Sequence, residues 1–181
     1  MKATSHSRGR FTGEYEMKTI LILLILAHVA FAQGRQNPPQ STNVPESVTR
    51  LFKTTGLDRQ YEFSSHLKPS YLSGDFDGDG KPDIAILVKQ KNSGKIGIAV
   101  CHSSTNKVLF IGAGTEVGNG GDNFDWMDIW NVTPKATAAR KVGKTTAALL
   151  KGDALHVEKS ESASALIYWS GRRYVWRQQG D

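Results

Sequence analysis

Four aspartates within one nine-residue stretch are the side chains of this sequence best suited to a chemical role. They recur at alternate positions, with one position taken by a lysine: Asp75, Asp77, Asp79, Lys81 and Asp83. Carboxylates this close together repel one another, so a folded loop needs a compensating cation. Ca²⁺ is the natural one, because it takes about six to eight oxygen ligands from carboxylates, carbonyls and water. The spacing therefore predicts a calcium-binding loop.

Each residue of the loop can be given a role from its position. Asp75, Asp77 and Asp79 supply side-chain oxygens at loop positions 1, 3 and 5. Lys81 offers only its backbone carbonyl at position 7, and Asp83 offers a carboxylate at position 9, directly or through water. An acidic turn that binds nothing is the alternative interpretation.

The surroundings of the loop differ from those of an EF-hand. Position 12 is Ile86, where an EF-hand has a bidentate Glu, and no amphipathic helix leads into the loop. Gly80 occupies position 6, where the chain must turn sharply and a Cβ would be strained. Residues 84–88 form a β-branched apolar run of strand length. The sequence thus predicts a calcium loop that leads into a buried strand.

In this arrangement the segment resembles the calcium-binding motif of FG-GAP and VCBS-type repeats, in which Asp-x-Asp-Gly-Asp-Gly-x-x-Asp precedes a hydrophobic strand. The resemblance covers about fifteen residues and does not extend to the fold, because a propeller needs at least about four blades and one copy of the motif is present. The whole chain resembles small exported bacterial proteins of unknown function that carry a single loop of this kind. That resemblance implies no activity.

The N-terminal part of the sequence has the pattern of a secretory signal peptide. Lys18 precedes an apolar run at residues 20–27, and an Ala-x-Ala end predicts cleavage after Ala32. Residues 1–16 are interpreted as an upstream extension of the signal peptide, because Met17 is itself a good start. We therefore expect an exported protein, periplasmic or extracellular, with no membrane attachment after cleavage. A retained membrane anchor is the less favoured alternative.

Composition indicates the domain organisation, the net charge and the state of the cysteine. Residues 33–44 read as a linker and residues 45–181 as a single β-rich domain. The chain has a net charge of +6, and residues 1–32 hold 4 of its 23 Lys and Arg and 2 of its 17 Asp and Glu, so the remainder has a net charge of +4. Cys101 is the only cysteine, which excludes an internal disulfide, and its apolar neighbours predict a buried thiol in a strand.

The apolar patterning predicts a mainly β (α+β) fold with an antiparallel sheet of about six strands and one short N-terminal helix. The helix is expected over residues 45–56, with Val48, Leu51 and Phe52 on one face, Asn43 and Glu46 as caps, and a glycine end. The strands are expected at residues 84–88, 96–101, 108–111, 155–159, 164–169 and 172–178. The first three have apolar residues on both faces, which predicts that both faces are covered.

The last two strands form the clearest hairpin in the sequence. A two-residue turn at Ser170 and Gly171 would set Ile167 opposite Tyr174. The same register sets Ala165 opposite Trp176. The aromatic residues of this hairpin are interpreted as core, with a sugar-binding platform as the alternative.

Two further stretches have unusual charge. Asp122, Asp125 and Asp128 lie at three-residue spacing in a glycine-rich stretch that is expected to enter a helical turn. The favoured interpretation is that they cap a turn while Phe124, Trp126 and Trp130 pack; the alternatives are that they complete the calcium shell or form a second site. Residues 135–151 are basic and lack interleaved aromatics or a nucleic-acid motif, so a solvated flexible loop is favoured and no nucleic-acid partner is expected.

These observations together predict an exported calcium-binding β domain that acts as a structural or binding module. No catalytic residues are assigned, because the sequence has no zinc-type histidine spacing and no nucleophile elbow. One alternative is a secreted hydrolase that uses the acidic loop at 122–128. Another is an inhibitor or adhesion protein that docks through the basic 135–151 loop and exposed aromatics. A protein or polysaccharide partner is left open.

Overall fold

Nine β-strands in two antiparallel sheets form the framework of the computed structural model, which describes residues 44–180. The first sheet contains β1 (Tyr61–Phe63), β2 (Tyr71–Gly74), β3 (Asp83–Gln90), β4 (Ile96–His102) and β5 (Lys107–Gly112). The second contains β6 (Ile129–Thr133), β7 (Ala154–Lys159), β8 (Ala163–Trp169) and β9 (Tyr174–Gly180). The helices are α1 (Glu46–Thr55), α2 (Lys135–Val142) and α3 (Lys144–Ala147). The expected signal peptide and upstream extension, and all but the end of the linker, lie outside the described residues.

The predicted mainly β, antiparallel fold class with an N-terminal helix is confirmed. All six expected strands are present, and β1, β2 and β6 bring the total to nine in two sheets. In the first sheet the order is β1-β3-β4-β5, and β2 pairs with the same central strand β3. In the second sheet the order follows the chain, β6-β7-β8-β9.

The two sheets pack face to face around the main core. Leu87 and Ile98 of the first sheet contribute to the same buried cluster as Leu155 and Ile167 of the second. The opposite face of the first sheet carries Ile86, which is packed in a cluster with residues of α1. This explains the apolar residues on both faces of the central strands, because one face meets a sheet and the other a helix.

Helix α1 matches its predicted position and differs in its caps. Val48 and Phe52 are buried against the sheet, and Gly56 ends the helix in the left-handed conformation. Within residues 44–180, no side chain caps the N-terminus at Pro45, so the predicted capping role of Glu46 is wrong; Glu46 instead pairs with Arg50 one turn later. The other proposed cap, Asn43, lies outside the described residues.

The C-terminal hairpin is present with a different register. Trp169 pairs with Tyr174 and Ile167 with Trp176, so the predicted two-residue turn is wrong. Residues 170–173 form a longer loop, in which Ser170 Oγ donates to the Arg173 carbonyl at 2.8 Å. The register differs by two residues, and because side chains alternate with a period of two, each residue keeps its predicted face.

Two stretches without predicted regular structure contain short elements. Residues 129–133 form the unpredicted strand β6, directly after the stretch that was expected to enter a helical turn, and the basic residues 135–147 form α2 and α3 instead of a flexible loop. Ala138 and Val142 of α2 are buried in a cluster with Leu166 of the second sheet, which fixes the basic segment. Among residues 44–180, no helix has the length and apolar character needed to cross a bilayer.

Candidate metal centre

The acidic loop is the connection of a β-hairpin. Strands β2 and β3 pair antiparallel, with Gly74 opposite Asp83, so residues 75–82 join two fixed ends. Gly78 and Gly80 have φ angles of +80° and +85°. This left-handed backbone is accessible to glycine at little cost, which explains the alternation of glycine with aspartate in the sequence.

The first three aspartates turn their carboxylates into the loop. Asp75 accepts hydrogen bonds from the Gly78 N–H at Oδ1 (2.8 Å) and from the Gly80 N–H at Oδ2 (3.1 Å). Asp77 Oδ1 accepts the N–H of Asp79 at 3.1 Å. One carboxylate oxygen from each of these aspartates lies within 4.8 Å of the others. The loop therefore brings together three of the predicted ligands.

Asp79 and Lys81 lie on the exposed side of the loop. Asp79 Oδ1 accepts the Lys81 N–H at 2.9 Å, and the Ser104 hydroxyl donates to Asp79 Oδ2. The hydrogen bond from Ser104, followed by that from the Lys81 backbone, lowers the pKa of Asp79 below its usual value. Asp79 is therefore held as a carboxylate, the form that binds a metal ion.

Asp83 is fully buried and fixes both ends of the loop. Its Oδ2 accepts the N–H groups of Phe76 (3.1 Å) and Asp77 (3.2 Å), and its Oδ1 accepts the Ser103 N–H (2.8 Å). Burial raises the pKa of Asp83, and the hydrogen bond from Ser103 opposes this increase. Asp83 is close to Asp77 and not grouped with the other two aspartates. Its clearest role in the geometry is to hold the loop backbone.

His102 is a neighbour of the loop that the sequence analysis did not select. It is buried at the end of β4, and its Nδ1 lies 3.5 Å from Asp77 Oδ2. Its Nε2 is hydrogen-bonded to the Tyr174 hydroxyl at 2.8 Å. Burial raises the pKa of Tyr174, with the charges of Asp83 and Asp77 adding to the effect. His102, Asp77 and Asp83 form a second group with atoms close enough to share an ion.

The sequence contains a signal that could have identified His102. Strands β3 and β4 pair with Ile84 opposite Cys101, so the next pair along the ladder brings His102 beside Asp83. Successive antiparallel strands place the start of the first beside the end of the second, so the residue that follows the predicted strand 96–101 was a candidate neighbour of the acidic loop.

The loop is attached to the second sheet through Asp153, which directly precedes β7. The Asp153 N–H donates to the Asp75 carbonyl at 2.7 Å, and Asp153 Oδ2 accepts the Asp75 N–H at 3.2 Å. The other oxygen, Oδ1, accepts the Lys135 N–H at the start of α2 (2.9 Å). Asp153 thus connects the acidic loop, the beginning of β7 and helix α2. Its sequence context gave no indication of this role.

Two glycines allow the loop to approach this segment. A Cβ at Gly78 would overlap the carbonyl oxygen of Lys151, and a Cβ at Gly152 would overlap the carbonyl oxygen of Asp75. The two backbones are therefore in direct contact. We call this contact, formed by residues 75–78 and 151–153, the sheet clamp.

The second acidic stretch is engaged elsewhere. Asp122 is ion-paired with Lys95, while Asp128 pairs with Lys159 at 3.2 Å and accepts the Ser160 N–H at 2.8 Å. Asp125 is exposed. Within residues 44–180, the groups able to share a metal ion include none of these three aspartates. The expected packing of this stretch is present, because Phe124 and Trp130 are buried, whereas the segment leads into β6 and not into a helical turn.

Comparisons with known proteins returned no match to this chain among family models, curated proteins or solved structures. The function of the chain is therefore inferred from the geometry of the loop and its neighbours.

Proposed function

We propose that this chain is an exported β domain that binds one Ca²⁺ in loop 75–83 and acts as a structural or binding module. The observation that carries the proposal is the separation of the Asp75, Asp77 and Asp79 oxygens, at most 4.8 Å from one another. Two oxygens bound to one Ca²⁺ at about 2.3–2.6 Å can be separated by no more than about 5 Å. The separations of the three carboxylate oxygens are therefore compatible with a single calcium ion.

The chemistry of the donors supports calcium. Carboxylates are hard oxygen ligands, which suit Ca²⁺, Mg²⁺ and Mn²⁺ better than the softer transition metals. A loop with mixed carboxylate, carbonyl and water ligation suits Ca²⁺ in particular, because Mg²⁺ needs near-ideal octahedral geometry. The backbone carbonyl of Lys81 and the carboxylate of Asp83, directly or through water, complete the proposed ligand set.

The affinity of the proposed site is modest. Ile86 occupies position 12 and is fully buried in the core, so no bidentate carboxylate comes from that position. Extracellular calcium modules bind at about 10⁻⁴ to 10⁻³ M, and we expect a dissociation constant in this range.

The proposed ion stabilises the fold in two ways. Carboxylates at most 4.8 Å apart repel one another, and calcium removes this repulsion. Calcium also orders Asp75, whose backbone forms the sheet clamp with Asp153. At a free calcium concentration about ten times the dissociation constant, binding to the folded state alone adds about 1.4 kcal/mol to the free energy of unfolding.

The test combines calcium titration calorimetry with thermal melts in calcium and in chelator. Wild type is expected to bind one ion and to melt a few degrees higher in calcium. Asp75→Asn should lose both effects, because it removes one of the converging charges. The matched control is Asp125→Asn, an exposed aspartate outside the loop, and Lys81→Ala is a control within the loop because only its backbone is used. If wild type binds no calcium at millimolar concentration and its melting temperature is unchanged, the loop is an acidic turn that binds no metal ion and the proposal is refuted.

A further inference from the structure

A cleft of about 640 Å³ opens on the second sheet, away from the acidic loop. It lies beside the glycine-rich turn Gly118–Gly120, and two half-buried tryptophans, Trp126 and Trp176, line it. The volume is within the range of about 300–1,000 Å³ found for small-molecule sites. None of the residues proposed to bind calcium lines this cleft.

The two indole rings are held in fixed orientations. Trp126 Nε1–H donates to the Gly120 carbonyl at 3.3 Å, and Trp176 Nε1–H donates to Gln178 Oε1 at 3.0 Å. The ring centroids are 6.1 Å apart with an angle of 73° between the planes. The fully buried Phe124 contacts both rings from the core side. Because the polar groups of both indoles are satisfied within the protein, their exposed parts offer apolar surface of defined shape.

Glycine keeps the wall of the cleft thin. A Cβ at Gly118 or at Gly120 would overlap Trp176, so the backbone of this turn packs directly on the indole. A larger residue at either position would push the turn away from the ring. The Trp176 indole therefore forms one side of the cleft, and the glycines of the turn cover little of it.

The described residues at the rim of the cleft are polar, and the one cation among them, Lys159, is ion-paired with Asp128. Asn119 and Ser162 are exposed at the rim and offer amide and hydroxyl groups. Among the described residues that line the cleft, Lys159 is the one cation, and it is bound to Asp128 at 3.2 Å. An anionic ligand would have to compete with Asp128 for this lysine.

A second cleft of about 390 Å³ adjoins the first and extends it. The two clefts share Lys159, Ser162 and Ala163, and the second adds Glu158 and Glu161. These glutamates repel anionic ligands such as nucleic acids and uronic acids. Together the two clefts form one continuous groove.

We propose that this groove binds a neutral saccharide chain. Sugar rings carry apolar C–H faces that pack on Trp126 and Trp176, while their hydroxyl groups bond to the amide and hydroxyl groups of the rim. An apolar peptide would leave this rim without partners, and a nucleic acid would meet the glutamates. The proposal concerns a surface separate from the calcium loop and does not depend on metal binding there.

The test uses exported full-length protein at saturating calcium and a panel of neutral hexasaccharides: cellohexaose, chitohexaose, xylohexaose, mannohexaose and maltohexaose. Tryptophan fluorescence and calorimetry should detect binding of at least one of them. Asn119→Trp places a bulky group at the rim and should weaken that binding at least about tenfold, equivalent to about 1.4 kcal/mol. Asn92→Trp is the matched control, because Asn92 is an exposed turn residue of the first sheet, and it should bind as wild type does.

Two further variants complete the design. Trp126→Ala removes one apolar face and should also weaken binding, whereas Asp75→Asn should leave it unchanged, which separates this site from the calcium loop. If Trp126→Ala fails to fold, Asn119→Trp decides the question. The proposal is overturned if wild type binds none of the hexasaccharides at millimolar concentration, or if Asn119→Trp binds as tightly as Asn92→Trp.

Discussion

The sheet clamp can be tested by comparing two alanine substitutions in the same loop. Gly78 and Gly80 both have left-handed backbone, with φ angles of +80° and +85°. A Cβ at Gly78 would overlap the backbone of Lys151, whereas a Cβ at Gly80 would meet nothing within 4 Å. Gly80→Ala therefore introduces backbone strain alone, and Gly78→Ala introduces the same strain together with a clash between the sheets.

The magnitudes follow from these two effects. Left-handed backbone costs a non-glycine residue about 1–2 kcal/mol, which is the expected loss of stability for Gly80→Ala. Overpacking adds about 1–3 kcal/mol, so Gly78→Ala should lose about 2–5 kcal/mol in total. The difference between the variants should appear in urea as a midpoint lower by about 0.5–1.5 M for Gly78→Ala, for a slope near 2 kcal/mol per M.

The measurement is equilibrium urea unfolding of wild type and both variants in saturating calcium, so that the loop is in one state. The slopes of the transitions should agree, because the surface exposed on unfolding is the same. Equal midpoints for the two variants would show that the close approach of Gly78 to Lys151 contributes nothing to stability, and the sheet clamp would have to be abandoned.

Three further predictions concern other parts of the molecule. Burial raises the pKa of Cys101 to about 12, so a thiol reagent at pH 8 should label it only after urea unfolding; rapid labelling of the native protein would contradict its burial. The Ser160 N–H lowers the pKa of Asp128 below its ordinary value of 3.8, so Asp128 stabilises the fold above that pH and loses this contribution as the pH falls through its folded-state pKa. The difference in unfolding midpoint between wild type and Asp128→Asn should accordingly be present at neutral pH and shrink in acid, and a constant difference would show that the shift is absent. Intact-mass measurement of exported protein should give Gln33 as the first residue, and material that retains residues 17–32 would exclude cleavage after Ala32.

The strands that could be predicted are those with a strong apolar pattern. The run at 84–88 is apolar on both faces and bounded by turn residues, and it became the centre of β3. β1 and β2 were missed because they have only three and four residues and are defined by pairing with β3. β6 was not predicted because Ile129, an apolar residue on the outer face of this strand, is 39% exposed. Hydropathy therefore does not follow burial along β6.

Part of the candidate site could also be predicted from the sequence. The alternate spacing of the aspartates was sufficient to infer that Asp75, Asp77 and Asp79 converge, because the carboxylates belong to one short turn. The neighbours of the loop come from distant parts of the chain: Asp153 is 78 residues from Asp75, and Tyr174 is 72 residues from His102. Such contacts depend on how the two sheets pack. The spacing of residues within a short segment does not specify that packing. The paired tryptophans of the cleft were missed for the same reason.

The division of the chain between the sheets has a kinetic consequence. The first sheet ends at Gly112 and the second begins at Ile129, so each sheet can assemble from neighbouring strands before the two meet. Contacts between nearby strands form early, whereas Asp75 and Asp153 can meet only once both sheets exist. Interactions that form after the folding transition state slow unfolding without speeding folding. We therefore expect the sheet clamp to act mainly on the lifetime of the folded state, which governs proteolysis where cleavage is faster than reclosing of the opened protein.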